Sequence, residues 1–129
     1  MRYASIEVLD GGLDAIMNGA IRMLLLKTYA ANDPYATVVS NAICSVPITS
    51  ANFSKSGADG AARVLTLASG LTGSATAGSG ASPDLHIAFT NNVDTVFLVT
   101  DETTNQVITA GNDVVFPQIV YTSSQPAAA

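Results

Sequence analysis

The sequence predicts an α+β fold, mainly antiparallel β and sandwich- or barrel-like, with two short helices in the N-terminal third. Two observations carry that prediction. From Phe53 onward, alternating or apolar segments recur about every 8–12 residues with turn-forming residues between them, the spacing of a sandwich or barrel. Before Phe53, two stretches place apolar residues at i, i+3, i+4 and i+7, which is one face of a helix. At 129 residues the chain reads as a single domain with room for a modest core.

The elements follow in order. "RYASIEVL" alternates and predicts a strand over residues 3–9. Asp10 then caps a helix carrying Leu13, Ile16, Met17 and Ala20, because its carboxylate can accept a bond from an orphan backbone N–H. Gly19 weakens that helix by about 1 kcal/mol against alanine. A helix of about ten residues is marginal alone, so it needs a surface to dock on. The run "MLLLK" supplies one, as a strand buried on both faces. Asp33 and Pro34 start a second helix with Tyr35, Val38, Val39 and Ala42 on one side. "ICSVPIT" changes to period two. Cys44, Val46 and Ile48 alternate with Ser45, Pro47 and Thr49, and Pro47 assigns the strand to an edge or a bulge.

"NFSKSGADGAARVLTLAS" reads as two strands around a turn at residues 56–60. Residues 70–83 are glycine, alanine and serine for the most part, and predict a flexible, partly ordered loop. In "LHIAFT", Leu85, Ile87 and Phe89 share one face and His86 takes the other, toward solvent or a neighbour. Asn91 and Asn92 turn the chain into the apolar strand "TVFLVT". "DETTNQ" turns again, "QVIT" is a short strand, "AGND" a turn, and "VVFPQIVYT" a closing strand. The tail, residues 123–129, has nothing to bury.

Composition narrows the class. Hydrophobic residues make up 48% and charged residues 12%, against about 25% charged in an ordinary domain. That balance means membrane insertion or extensive burial. A membrane span takes roughly 18 or more consecutive apolar residues, and the run at residues 23–26 falls far short. The N-terminus lacks the ordered parts of a signal peptide. The remaining reading is a soluble chain whose surface is covered by neighbours, as an oligomer or a lattice component. The net charge is −5, and the five cations Arg2, Arg22, Lys27, Lys55 and Arg63 are scattered. No basic patch forms, so nucleic-acid binding has no electrostatic basis. Cys44 stands alone in an apolar stretch and reads as an inert core thiol. Stability then rests on packing or partners, not on cross-links.

No constellation for catalysis is visible. His86 is the one histidine, and neither GxSxG nor HExxH occurs. One His and one Cys leave no nitrogen/sulfur zinc site within a chain. Asp101 and Glu102 are neighbours at a strand end, so they point apart and read as a solvated turn. The oxygen-rich "DETTN" does not have EF-hand spacing. "GGLDAIMNG" lacks the lysine and hydroxyl of a phosphate loop, and "GSGAS" lacks the strand and helix of a dinucleotide site. No catalytic residue, cofactor or metal is predicted. Tyr29, Tyr35 and Tyr121 could form a sugar platform, though core or interface positions suit them better. Apolar side chains near segment ends are the candidate interface anchors: Tyr3, Ile6, Tyr35, Phe116 and Tyr121.

The stretches "VLDGGLDAI", "RMLLLKTYAANDPYATV", "PDLHIAFTNN", "VTDETTNQVITAGN" and "FPQIVYTSSQP" resemble a family of small structural proteins of tailed bacteriophages and prophages. The resemblance runs from about residue 4 to residue 126 and lies in phrasing, with no catalytic signature. It implies a virion component: a capsid decoration (cement) protein, trimeric, bridging capsomers of the major capsid protein. The alternatives are a tail or tail-fibre adaptor, and a module that binds host-surface carbohydrate. The partners implied are other copies of the chain and another virion protein, with neither nucleic acid nor membrane. The loop near residues 70–82 and the termini are expected to order on those partners.

Overall fold

The computed structural model describes residues 3–126. It is an α+β fold dominated by antiparallel strands, with both helices in the first third of the chain. The strands form sheets of four, three and two strands that do not close into a barrel.

Helix α1 spans Ile6–Gly19. The strand expected over residues 3–9 is its first turn and lead-in. Ile6, Leu9, Leu13 and Ile16 share one helical face, and that face wins over the local alternation because it buries against the core. The cap is Ser5, whose hydroxyl accepts the Val8 N–H at 3.2 Å, not Asp10. Asp10 lies inside the helix and turns inward. At the far end, a Cβ on Gly19 would sit 2.5 Å from the ring of Phe97. Glycine there gives up helix propensity for close packing against a strand.

Strand β1 (Arg22–Leu26) is paired on both sides, with β2 (Ala42–Pro47) and with β6 (His86–Thr90). β7 (Val96–Asp101) completes the order β2-β1-β6-β7. The expectation of two-sided burial holds. Met23 and Leu25 enter the main core with Leu13, Ile16, Ile87 and Phe89. Leu24 and Leu26 enter a second cluster with Val38 and Ala88. Val38 belongs to helix α2 (Tyr35–Ser40), which therefore covers the other side of the sheet. α2 is one turn shorter than its periodicity suggests. Val39 stays exposed and Ala42 has already joined β2. β2 is an edge strand, as Pro47 requires.

β3 (Phe53–Ser56) and β4 (Arg63–Leu67) form the expected hairpin, and β9 (Ile119–Ser123) pairs with β4. The stretch at 70–83 departs from its expected looseness. It holds β5 (Thr72–Ser74), which pairs with β8 (Asp113–Val115). Gly73 lets β5 lie on β2, since a Cβ there would stand 2.7 Å from Val46 and 2.9 Å from Cys44. Ser79 is buried and exchanges bonds with the backbone of Ile108. Small residues are required here, and main-chain bonds hold them.

Two further expectations change. "QVIT" is irregular, because its backbone serves Ser79 instead of a ladder. "VVFPQIVYT" is two strands in different sheets, split at Phe116 and Pro117, where proline removes a ladder donor. The turn at Asn91 is as expected. Its side-chain oxygen accepts from the N–H groups of Val93, Asp94 and Thr95. Of the expected tail, Ser123 ends β9 and Gln125 bonds to Ala4 and Ala61. Residues 127–129 lie outside the described residues.

Candidate functional site

α1 is tied to the β3–β4 hairpin by an ionic cluster. The Nε and Nη2 atoms of Arg63 donate to the two carboxylate oxygens of Asp10 at 2.8 and 3.2 Å. Lys55 reaches Asp10 at 3.4 Å and also pairs with Asp14. Arg63 donates in addition to the carbonyl of Gly57. The bond from Arg63, then that from Lys55, holds the Asp10 carboxyl below its ordinary range, against the opposing effect of desolvation. The Asp14 bond chiefly raises Lys55, and Asp10 raises Arg63. Every charge in the cluster has a partner, so its chemistry is structural.

The same end of the molecule gathers the termini of the described chain. The Tyr3 hydroxyl donates to Asp59 in the hairpin turn, which raises the phenol above its ordinary value. Gln125 bonds both the N–H and the C=O of Ala4. Tyr3 is 57% exposed and Tyr121, on the edge strand β9, is 41% exposed. Ile6 is half-buried on α1. Of the five expected anchors, Tyr3 and Ile6 lie at this end of the molecule, and Tyr121 lies on β9, a strand that α1 contacts. Tyr35 is half-buried and starts α2, on the other side of the four-stranded sheet. Phe116 is a correction. It is 1% exposed in the main core, because its side chain points inward where the chain leaves β8. It packs the fold and offers nothing to a partner.

His86 takes the face opposite Ile87 and Phe89, as expected, where it is largely covered within the chain. Its Nε2 lies 2.8 Å from Asp101, its cross-strand neighbour, and its Nδ1 lies 3.0 Å from the Asp84 carbonyl. The ring of Tyr29 stands 5.6 Å away, centre to centre. Tyr29 is thus engaged with the second cluster and is no free platform. Cys44 is buried, and burial pushes its thiol pKa up. Among the described residues, no group of three or more His, Cys, Asp or Glu side chains is placed to hold a metal ion, and no helix is long and apolar enough to cross a membrane.

Several exposed apolar residues escaped the reading of the sequence. Val8 on α1, Val93 in the β6–β7 turn, Val115 on β8 and Val120 on β9 are all more than half exposed. Only the full strand and helix assignments could have placed them outside. Beside Val115 lies an open hollow of about 420 Å³, and Val120 lines a neighbouring one. Ile108, Val115 and Pro117 form part of the apolar wall of the first over the core residues beneath, and Glu102, Thr104 and Gln106 add polar groups.

Set against family models, curated proteins and solved structures, the chain matches none.

Proposed function

We propose that this chain is a non-enzymatic structural protein of a tailed-phage virion, a capsid decoration protein that stabilises the shell by bridging capsomers. One observation carries the reading. A chain with 12% charged residues leaves large apolar side chains in solvent on α1, on the β6–β7 turn, on β8 and on β9. Isolated cases on a surface are ordinary, but their spread over several elements with so few ionic neighbours suits a protein covered by subunits. The resemblance in phrasing supports the virion as the place where that covering occurs.

The mechanism is mass action. A chain that binds the assembled shell and not its free subunits stabilises the shell in proportion to occupancy and affinity. Copies associate as a trimer through Tyr3, Ile6 and Tyr121, and the Tyr121 ring presents apolar area and a hydroxyl together. Sedimentation of the purified chain tests the oligomer directly. A trimer at micromolar concentration is expected, and a strict monomer at high concentration contradicts it. A tail adaptor or a carbohydrate module would share the composition. Specific binding on a glycan array, with no association to shells, would replace the decoration reading by the latter.

A further inference from the structure

Each of the three sheets has unpaired strand edges among the described residues, and two of them bound the region of interest. One is β7, at the end of the four-stranded sheet, and the other is β9, at the end of the three-stranded sheet. Helix α1 contacts both strands. It meets β7 through Gly19 and Phe97. Beyond its reach, the last residues of β7 and the first of β9 line one hollow of about 260 Å³, with Thr100 and Asp101 on one wall and Ile119 and Val120 on the other. This hollow shares Glu102, Thr104 and Pro117 in its lining with the 420 Å³ one. A third, of about 250 Å³, shares Asp101 and Glu102 and adds Asp84.

The three hollows adjoin through these shared residues as a groove beside two strand edges, apolar along Ile108, Val115 and Pro117 and rimmed by Asp84, Asp101 and Glu102. No lysine or arginine lines it. Lys55 and Arg63 are committed to Asp10 and Asp14 elsewhere. Lys27 meets this region through its backbone carbonyl, which accepts the Asp84 N–H. The rim is built and held in place. Asp101 is fixed by His86, Glu102 accepts from the N–H and hydroxyl of Thr104, and the Glu102 and Leu85 backbones are joined across the groove's end.

We propose that this groove receives an extended segment of a partner protein, with a lysine or arginine set among apolar residues. The unpaired edges offer main-chain groups to an extended chain, the apolar wall takes alternate side chains, and the carboxylates select the cation. The inference rests on the groove alone, so it stands or falls apart from the virion reading.

The test is a library of octapeptides alternating valine with a varied residue, bound to the full chain and followed by amide resonances. Peptides varied to lysine or arginine should bind about three- to ten-fold tighter than their glutamate counterparts, the range set by one or two exposed charge pairs. Shifts should fall on residues 100–104 and 118–120. Asp101→Asn with Glu102→Gln should erase the preference while the resonance spectrum stays that of the folded chain. Asp84→Asn, whose side chain lies outside the His86–Asp101 pair, should weaken it on its own. Absence of binding across the library, indifference to charge, or shifts elsewhere would overturn the proposal. So would groove shifts produced by the chain's own concentration, which would assign the site to a second copy.

Discussion

Arg63 and Asp10 face each other as a two-point pair, Nε and Nη2 on the two carboxylate oxygens, across the seam between β4 and the middle of α1. The pair lies where a short, glycine-containing helix has to be held against a sheet. Its geometry is the stronger, bidentate form of a charge-assisted bond, and Asp10 is almost fully covered.

The pair makes stability depend on acid. The folded carboxyl of Asp10 is held below its ordinary value of 3.8. Its contribution is therefore complete above that value and is lost as pH falls through the lower folded one. Lys55 and Arg63 are raised, so their share persists up to alkaline pH and is lost only as pH passes their folded values. Asp10→Asn should lower the melting temperature by several degrees at pH 7 and flatten the decline below pH 4. A thermal melt series from pH 2.5 to 7 checks both. An unchanged acid slope would remove Asp10 from this role.

Gly57 holds the hairpin turn beneath the same arginine. Its φ is +120°, and a Cβ there would lie 2.2 Å from the Ala62 carbonyl oxygen. Backbone atoms have no means of yielding. Gly57→Ala should cost about 1–3 kcal/mol by chemical denaturation. Gly60→Ala, at φ +85° with open space around it, should cost less.

Phe116 and Tyr121 should separate cleanly. Phe116→Ala should cost about 3–5 kcal/mol through the cavity left in the core. Tyr121→Ala, on an exposed edge, should stay within about 1 kcal/mol of the parent in stability and weaken self-association. Denaturation and sedimentation of both variants read the two effects apart.

Cys44 should ignore thiol reagents in the native state. The side chain is buried and burial raises its pKa, which suppresses the thiolate. One equivalent should react after denaturation, and fast native labelling would contradict the packing of β2 against β5.

Much of this architecture can be read from residue order, because burial and period coincide. Leu24 and Leu26 against Met23 and Leu25 show a strand with two buried faces, and Pro47 shows an edge. What escapes is decided by bonds that have no sequence period. Residues 70–83 look slack, yet Ala75 and Ser79 are buried, and the β5–β8 ladder and the Ser79–Ile108 exchange are main-chain matters. The first turn of α1 misleads because "RYASIEVL" satisfies alternation locally while Ile6 and Leu9 belong to a face completed only at Leu13 and Ile16. Phe116 misleads differently: an aromatic near a segment end is an anchor only if the end points outward. The groove is invisible in the sequence, since its walls come from β7, β9 and the segments around Ile108 and Val115.

The proposed function is tested most directly by a density map of tailed-phage particles assembled in cells that express this chain. The account predicts many ordered copies on the outside of the mature shell, each spanning neighbouring capsomers, with Val120 and Tyr121 covered. Finished particles that lack the chain, with the protein left free and monomeric in the infected cell, would contradict it.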